Sequence, residues 1–220
     1  MATKNKNNLK SETILVVVGS LLLIIAFILF HYSLILEVNS DIYNTIQAEI
    51  FKEKNGDNRI SVNVSVDYIN TDKDLGDKEE NSSTINYIAF LEIEKINLMQ
   101  GLLPKSSYYN NVDYHVEILD ISDFPDVVNG NFILAGHSGT SNVAFFKNLY
   151  KLKIGDNAKI YYQNKVYSYN IVNIYNENKD GSVNIYRDSN KTTLTLITCT
   201  ENDKTKQTIY ILELIGVETY

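Results

Sequence analysis

The longest run of apolar positions lies near the amino terminus. Residues 13–36, TILVVVGSLLLIIAFILFHYSLIL, contain no Asp, Glu, Lys or Arg. At a rise of about 1.5 Å per residue, a helix of that length crosses a hydrocarbon core of about 30 Å. A cleavable signal peptide is the competing interpretation, but its apolar region is usually about 7 to 15 residues long and ends at a small-residue cleavage site. The segment HYSLILEVNS offers no such site, so the pattern favours an uncleaved membrane anchor.

Charged residues on the two sides of this run predict its orientation. Lys4, Lys6 and Lys10 precede the run, and Glu37 and Asp41 follow it. Basic flanks stay on the cytoplasmic side of a membrane. We therefore expect a cytoplasmic tail at residues 1–12, a transmembrane helix at residues 13–36 and an extracellular remainder. The expected localisation is the cell membrane, with a single pass and the amino terminus inside.

Residues 37–84 have weaker patterning. The segment DIYNTIQAEIFKEKN has a faint helical period, and RISVNVSVDYI alternates like a strand. The following NTDKDLGDKEENSS is charged and has no aromatic residue, so it cannot bury enough apolar surface to offset its chain entropy. We expect an extracellular spacer at residues 37–84, although residues 55–70 fit a solvated loop of the following domain equally well.

Short strand-like runs separated by turn signals fill the chain from residue 85 onward. The apolar runs are YIAFLEIEKI, HVEILDI, NFILAG, AKIYYQ, VYSYNIVNIY, TLTLITC and QTIYILELIGV. Seven or eight strands with few helices predict a mostly β domain that forms a closed or nearly closed barrel over residues 85–220. The best helix candidate is SNVAFFKNLYKL, in which Ser141 or Asn142 would be the N-cap. Its apolar face would be formed by Phe145, Phe146, Leu149 and Leu152.

The charge balance and the cysteine count narrow the possible functions. The formal charge is −7, from 20 basic and 27 acidic residues, which argues against a nucleic-acid surface because phosphate binding needs a basic stripe. A single cysteine excludes an internal disulfide. In an exported protein, such a cysteine is a buried small apolar residue, a partner in an intermolecular disulfide or a free reactive thiol.

The single cysteine, Cys199, ends the apolar run TLTLITC. A cysteine nucleophile acts as its thiolate and is usually assisted by histidine. His31 lies inside the predicted membrane span, and His115 fits an ordinary strand position. His137 directly follows the apolar run NFILAG, so it also lies where a buried strand enters a loop. Folding of a barrel is needed to bring His137 and Cys199 together.

These segments resemble the sortases, a family of membrane-anchored cysteine transpeptidases of Gram-positive-type cell surfaces. The family motif T-L-x-T-C corresponds to Thr195, Leu196, Ile197, Thr198 and Cys199, and LAGHS ends an earlier strand. The segment IAFLEIEKINL resembles the family's opening strand, and FFKNLYKLKIGD resembles the passage that follows the histidine. The resemblance extends from about residue 85 to the carboxyl terminus. It implies an eight-stranded β-barrel with one or two short helices.

The resemblance also implies a mechanism and its partners. Cys199 would attack the Thr–Gly bond of an LPxTG-like sorting signal on a surface protein or pilin, and His137 would transfer protons. An amine of peptidoglycan or a pilin lysine would accept the acyl group. No metal or organic cofactor is implied. Some sortases bind calcium through acidic loops, but in this chain a solvated acidic face is the simpler interpretation of Glu117, Asp120, Asp123, Asp126 and Glu177.

One position departs from the family pattern. Sortases have an arginine at the start of the strand that follows the cysteine, where it holds substrate and the developing oxyanion. Aligned on the apolar run, Gln207 occupies that position, and no arginine follows Cys199. We expect Gln207 to donate a neutral hydrogen bond to the oxyanion, with Lys206 as the alternative donor. Thr198, Arg187 and Lys206 are the candidate substrate-binding residues.

Two further functional classes compete with an active transpeptidase. The missing arginine favours a weak or inactive sortase-like barrel that acts as a membrane-tethered binding or scaffold module. An L,D-transpeptidase or papain-like hydrolase is disfavoured, because the sequence around Cys199 lacks their motifs. The sorting motif would be selected by the loop at about residues 176–192. Asp67 and Tyr68, in SVDYINTD, are a faint candidate for the lid of a pilus-type enzyme.

Overall fold

The computed structural model describes residues 14–30, 49, 51 and 86–220. The chain divides into two compact units, Met1–Tyr43 and Asn44–Tyr220, and residues 14–30 of the first unit are helical. No helix in the described part of the chain is long and apolar enough to span a membrane. The predicted tail, the lid candidate and nearly all of the predicted spacer lie outside the described residues.

Residues 86–220 of the second unit are built on one sheet of eight strands. Two short 3₁₀ helices, Glu94–Ile96 and Leu149–Lys151, lie between strands. The order in the sheet is β2-β1-β5-β6-β8-β7-β4-β3. This nearly closed barrel confirms the mostly β fold expected from the sequence. The strands are β1 Ala89–Ile93, β2 Leu98–Leu102, β3 Glu117–Ile118, β4 Asn131–Ala135, β5 Asn157–Tyr162, β6 Lys165–Asn178, β7 Thr193–Thr200 and β8 Asp203–Thr219.

Alternation along the strands builds a core inside the barrel. Side chains of successive residues point to opposite faces of a sheet, so Leu194 and Leu196 of β7 share one face. They pack with Phe132 and Leu134 of β4 and with Leu212 of β8 in the main apolar cluster. Each of these five side chains is fully or almost fully buried.

The opposite face of the same strands is also covered. Ile133 of β4, Ile197 of β7 and Ile209 of β8 form a second buried cluster, against which Val183 and Ile185 pack from the β6–β7 connection. Strand β7 is therefore buried on both faces along most of its length. This explains why its sequence is a nearly continuous apolar and threonine run rather than a strict alternation.

One pair of neighbouring strands is parallel. Strand β4 pairs with β7 in parallel, with Ala135 beside Ile197, whereas the other strand pairs are antiparallel. Parallel neighbours end at the same edge of a sheet. The residues that follow β4 and those that end β7 are therefore brought to one place.

The last hairpin determines what lies opposite the end of β7. Asn202 adopts a left-handed conformation, with φ of 60°, which asparagine tolerates better than most residues. The chain then returns as β8 in antiparallel pairing with β7. A register irregularity follows Cys199, so that Cys199 faces Gln207 and Thr200 faces Asp203.

Two local predictions differ from the structure. The predicted helix at residues 141–152 is a succession of turns that ends in the 3₁₀ helix Leu149–Lys151. The N–H of Phe146 donates to the carbonyl oxygen of His137 at 3.0 Å, so it is not available for a helical bond to Asn142. The predicted burial is correct, because Phe146, Leu149 and Leu152 enter the main core.

Strand β2 was not predicted, because NLMQGLL lacks a clear alternation. Its partner β1 ends earlier than the predicted run, since the 3₁₀ helix Glu94–Ile96 interrupts it. Asn97 then turns the chain with a left-handed φ of 52°, and β2 pairs along the whole of β1.

Candidate active site at the ends of two parallel strands

The register of β4 and β7 directs His137 and Cys199 to the same edge of the sheet. The last paired residues are Ala135 of β4 and Ile197 of β7. His137 follows Ala135 by two residues, and Cys199 follows Ile197 by two residues. Continuing the register brings the two together across neighbouring strand ends, although the residues are separated by a long stretch of chain.

Hydrogen bonds extend this register beyond the end of β4. The N–H of Gly136 donates to the carbonyl oxygen of Ile197 at 3.1 Å. The Thr198 hydroxyl donates to the carbonyl oxygen of Gly136 at 2.8 Å. The Ser138 hydroxyl donates to the carbonyl oxygen of Cys199 at 3.0 Å. Both chain neighbours of His137 are therefore attached to the cysteine strand.

Thr198 has a supporting position rather than an exposed one. Its side chain is buried, with only 6% of the residue exposed, and alternation directs it away from the Cys199 face. Its hydroxyl is the donor to Gly136 described above. The structure thus assigns Thr198 a contact within the fold, and a contact with substrate stays a prediction.

Cys199 is a free, half-buried thiol. The Lys179 ammonium lies 3.5 Å from its sulfur atom. Lys179 was not among the residues predicted from the sequence, because NENKDGS was interpreted only as a turn. The available signal was a basic residue in a loop that precedes the cysteine strand, which many unrelated loops also have.

His137 is partly exposed and approaches a carboxylate. Its Nε2 atom lies 3.4 Å from Oδ1 of Asp113, and the Asp113 side chain is 75% exposed. A contact so exposed to solvent contributes little to stability. Asp113 was also not predicted from the sequence, because nothing in the pattern of DYHVEIL connects this residue with His137.

Gln207 lies directly opposite Cys199 in the β7–β8 pair and opposite Glu177 in the β6–β8 pair. Its side-chain amide nitrogen donates to the carbonyl oxygen of Ser182 at 2.7 Å, and only 8% of the residue is exposed. The amide therefore attaches the β6–β7 connection to β8. A hydrogen bond from Gln207 to an oxyanion stays a prediction, and it would require this amide to be shared or released.

The other two predicted residues also have protein partners. The Arg187 guanidinium donates to the carbonyl oxygens of Asn129, Asp188 and Lys191, at distances between 3.0 and 3.4 Å. Lys206 lies 3.5 Å from a carboxylate oxygen of Asp203. Substrate contacts of Arg187 and Lys206 stay predictions.

Lys206 also borders an open polar cavity of about 340 Å³. The remaining lining residues are Asn176, Glu177, Asn178, Asp180 and Asn184. Within residues 86–220 and the other described positions, no group of three His, Cys, Asp or Glu side chains is arranged to hold a metal ion.

A family model described as a Sortase domain matches residues 91–213, which is more than half of the chain. The chain belongs to the sortase family. The resemblance inferred from the motifs around Cys199 and His137 is thereby confirmed. No curated protein sequence matches the chain.

Solved sortase structures share the fold of this chain. A sortase D5 transpeptidase from Clostridium perfringens is 28% identical with a TM-score of 0.51, and the match covers 60% of this chain and 80% of that one. Sortase C1 from Streptococcus agalactiae is 25% identical with a TM-score of 0.51, covering 59% and 68%. A lid mutant of sortase A from Corynebacterium diphtheriae is 22% identical with a TM-score of 0.54, covering 60% and 72%. At the last identity the likeness concerns the fold alone.

The thiol of this sortase follows a strand end that is part of the second buried cluster. Ile197 is on the same face of β7 as Cys199, two residues earlier, and faces Ile209 of β8, which in turn faces Tyr175 of β6. Val183 packs against this row from the β6–β7 connection.

Proposed function

We propose that this sortase is an active cysteine transpeptidase that cleaves an LPxTG-like sorting signal through a Cys199 acyl-enzyme. The observation that carries the proposal is the parallel register of β4 and β7, which ends with Ala135 beside Ile197, two residues before His137 on one strand and two residues before Cys199 on the other. The sulfur is free and half-buried, as a nucleophile on a substrate surface must be. The relative at 28% identity is described as a transpeptidase, which supports the same chemistry.

The reaction would proceed in two acyl transfers. The Cys199 thiolate adds to the Thr–Gly carbonyl carbon and forms a C–S bond. Collapse of the tetrahedral intermediate breaks the C–N bond, and the His137 imidazolium gives its proton to the leaving amine. An incoming amine then attacks the thioester and gives a proton to the neutral imidazole. Cleavage of the C–S bond releases the new amide and restores the thiolate.

The partners follow from this reaction. The acyl donor would be a surface protein or pilin with a sorting signal, and the acceptor would be a peptidoglycan amine or a pilin lysine. The proposal includes a cell-membrane localisation with the amino terminus inside, supported by the uncharged run at residues 13–36 and by the basic residues before it. Such an anchor would hold the barrel close to newly exported substrates.

A weak or inactive scaffold is the second candidate function. It is favoured by the glutamine at position 207, where sortases have an arginine, and by the engagement of its amide with Ser182. A scaffold would bind a sorting signal or another peptide without forming a thioester.

Mass spectrometry of the intact full-length chain in mild detergent distinguishes these functions. The chain would be incubated with a small library of LPxTG-like and NPxTG-like peptides. The expected result is a covalent adduct with the mass of the acyl fragment, which an added amine releases, and no adduct in Cys199→Ala. A folded wild-type chain that neither forms an adduct nor cleaves any peptide would contradict the transpeptidase proposal and leave the scaffold.

A peptide with a thiol-reactive group at the Thr–Gly position provides the second measurement. An active enzyme is expected to be labelled at Cys199 faster by this peptide than by the same group on a scrambled peptide. Equal labelling rates would indicate a reactive thiol without a substrate surface.

A further inference from the structure

Lys179 brings a positive charge to the reactive sulfur. It is the first residue after β6, and its ammonium lies 3.5 Å from Sγ of Cys199. Its backbone N–H donates to the carbonyl oxygen of Thr205 at 2.8 Å. The start of this side chain is therefore attached to the β7–β8 hairpin that also holds Cys199.

The carboxylates close to Lys179 in the chain have other hydrogen-bond partners. Oδ1 of Asp180 accepts hydrogen bonds from the N–H and the hydroxyl of Ser182. Oε2 of Glu177 accepts bonds from the backbone and side-chain nitrogens of Asn184. Across residues 86–220, no carboxylate forms an ion pair with Lys179.

The other candidate donors are occupied by protein partners. Arg187 donates to three carbonyl oxygens, Gln207 donates to Ser182, and Lys206 lies beside Asp203. Of the side-chain nitrogens of Arg187, Gln207, Lys206 and Lys179, that of Lys179 alone contacts the Cys199 sulfur in the part of the chain that the structure describes. The cation that touches the nucleophile therefore comes from the β6–β7 connection.

The position of this charge suits the movement of negative charge during acyl transfer. The charge begins on the sulfur and passes to the carbonyl oxygen, which is bonded to the same carbon as the sulfur in the tetrahedral intermediate. An ammonium has three donors on a flexible stem, so a small movement lets one group serve both atoms. Electrostatic donors aimed at such an oxyanion give large rate effects.

We propose that Lys179 supplies the positive charge that the sortase arginine supplies elsewhere, first to the Cys199 thiolate and then to the oxyanion. This inference rests on the proposed transpeptidase function. It assigns a catalytic residue to the loop before the cysteine strand, rather than to the strand after it. On this proposal, the positive charge that is missing at position 207 is supplied from position 179 instead.

Alkylation of Cys199 tests the proposal without any sorting peptide. Iodoacetate is negatively charged and iodoacetamide is neutral, so the ratio of their rate constants reports the local charge at the sulfur. In the full-length chain, Lys179→Met and Lys179→Gln are expected to lower this ratio by about threefold or more, and Lys179→Arg is expected to keep it. Added salt should lower the ratio in the wild type and have less effect in Lys179→Met.

Lys165→Met is the matched control, because Lys165 is an exposed lysine at the other end of β6. It is expected to leave the alkylation ratio unchanged. For peptide turnover, Lys179→Met should lower kcat by about 100-fold or more, with at least partial rescue in Lys179→Arg.

The outcomes separate the inference from the proposed function. An alkylation ratio within twofold of wild type in both Lys179→Met and Lys179→Gln would overturn the role of Lys179, even if peptide is turned over. A lowered ratio in a chain that turns over no peptide would support the charge on the sulfur and contradict the transpeptidase function. Because Lys179 is exposed, both variants should fold, and thermal melting verifies this.

Discussion

The Thr198 hydroxyl donates to the carbonyl oxygen of Gly136 at 2.8 Å, across the junction between the histidine strand and the cysteine strand. Gly136 immediately precedes His137, and Thr198 immediately precedes Cys199. One buried hydrogen bond thus connects the two backbones at the point where the imidazole and the thiol leave them. The threonine of the T-L-x-T-C motif therefore has a mechanical role that does not require contact with substrate.

Replacement of Thr198 tests this connection. Thr198→Val keeps the shape of the side chain and removes the donor, so the Gly136 carbonyl loses its side-chain partner. We expect a loss of about 1 to 3 kcal/mol in the free energy of unfolding, together with reduced acylation because His137 is held less firmly. Thr198→Ser keeps the hydroxyl and should retain more of the acylation rate, even though it loses a buried methyl group. Equal acylation rates in Thr198→Val and Thr198→Ser would contradict the mechanical role.

Gly136 is required by a close contact with an aromatic ring. A Cβ atom added there would lie 2.9 Å from Cδ2 of Phe146, and Phe146 is 1% exposed in the main core. We expect Gly136→Ala to destabilise the barrel by about 1 to 3 kcal/mol, because the ring must move to make room for the methyl group. The variant should also lower acylation, because the N–H of Phe146 donates to the carbonyl oxygen of His137 and a shift of Phe146 would move the histidine.

A double-mutant cycle with Phe146→Leu verifies the origin of this effect. Truncating the ring makes room for the added methyl group, so the double variant should be less destabilised than the sum of the two single variants. Additive losses would show that the ring is not what requires glycine at position 136.

Cys199 is expected to matter for chemistry and little for stability. The thiol is half-buried at the end of β7 and belongs to neither the main core nor the second cluster. Cys199→Ala should abolish acyl-enzyme formation and change the free energy of unfolding by about 0.5 kcal/mol or less. Chemical denaturation of the two chains measures the difference. A loss of several kcal/mol would instead identify a packing role for the sulfur.

A pair of alanine variants tests whether Gln207 or Lys206 stabilises the oxyanion. If either side chain stabilises the oxyanion, its removal should lower peptide cleavage by more than about tenfold, or about 1.4 kcal/mol. Gln207→Ala should also destabilise the β6–β7 connection, because the Ser182 carbonyl loses its donor. Normal cleavage by both variants would exclude an oxyanion role for Gln207 and Lys206.

His115 predicts a pH dependence of stability near neutral pH. Burial lowers the pKa of its imidazole below the ordinary value of 6.5, and the ring is stacked on Phe145 at 5.9 Å. Below about pH 6.5 the unfolded chain therefore binds a proton that the folded chain does not, so the free energy of unfolding falls as the pH falls. The decline from this group ends once the pH is below its pKa in the folded state.

His115→Phe should remove this part of the decline while keeping the stacked contact. Asp156 provides an internal comparison, because a hydrogen bond from Lys95 lowers the pKa of its carboxyl below the ordinary value of 3.8. Stability from Asp156 is present above that value and is lost only at lower pH. Urea unfolding between pH 7.5 and pH 5.5 compares the slopes of the two chains in a range where Asp156 stays ionised, so that the difference between the slopes reports the histidine. Identical slopes for the wild type and His115→Phe would contradict the assignment.

The pattern of the sequence was sufficient for all strands except β2 and for the family. Alternating and continuous apolar runs predicted seven of the eight strands, since alternation depends only on which faces are buried. The helix predicted at residues 141–152 was wrong, because the N–H of Phe146 bonds to His137 instead of to the preceding turn. Such a competing partner cannot be seen in a local pattern.

Some features of the candidate site could likewise be predicted from the sequence, and others could not. The sequence by itself determined the barrel, the family and the two strand ends at which His137 and Cys199 occur, because motifs and apolar periods are properties of contiguous residues. Only the tertiary structure decided which side chains meet there. The contacts of Lys179 with Cys199 and of Gln207 with Ser182 depend on the path of the β6–β7 connection over the barrel. That path is set by packing between residues far apart in the chain, which no local pattern of apolar and polar positions records.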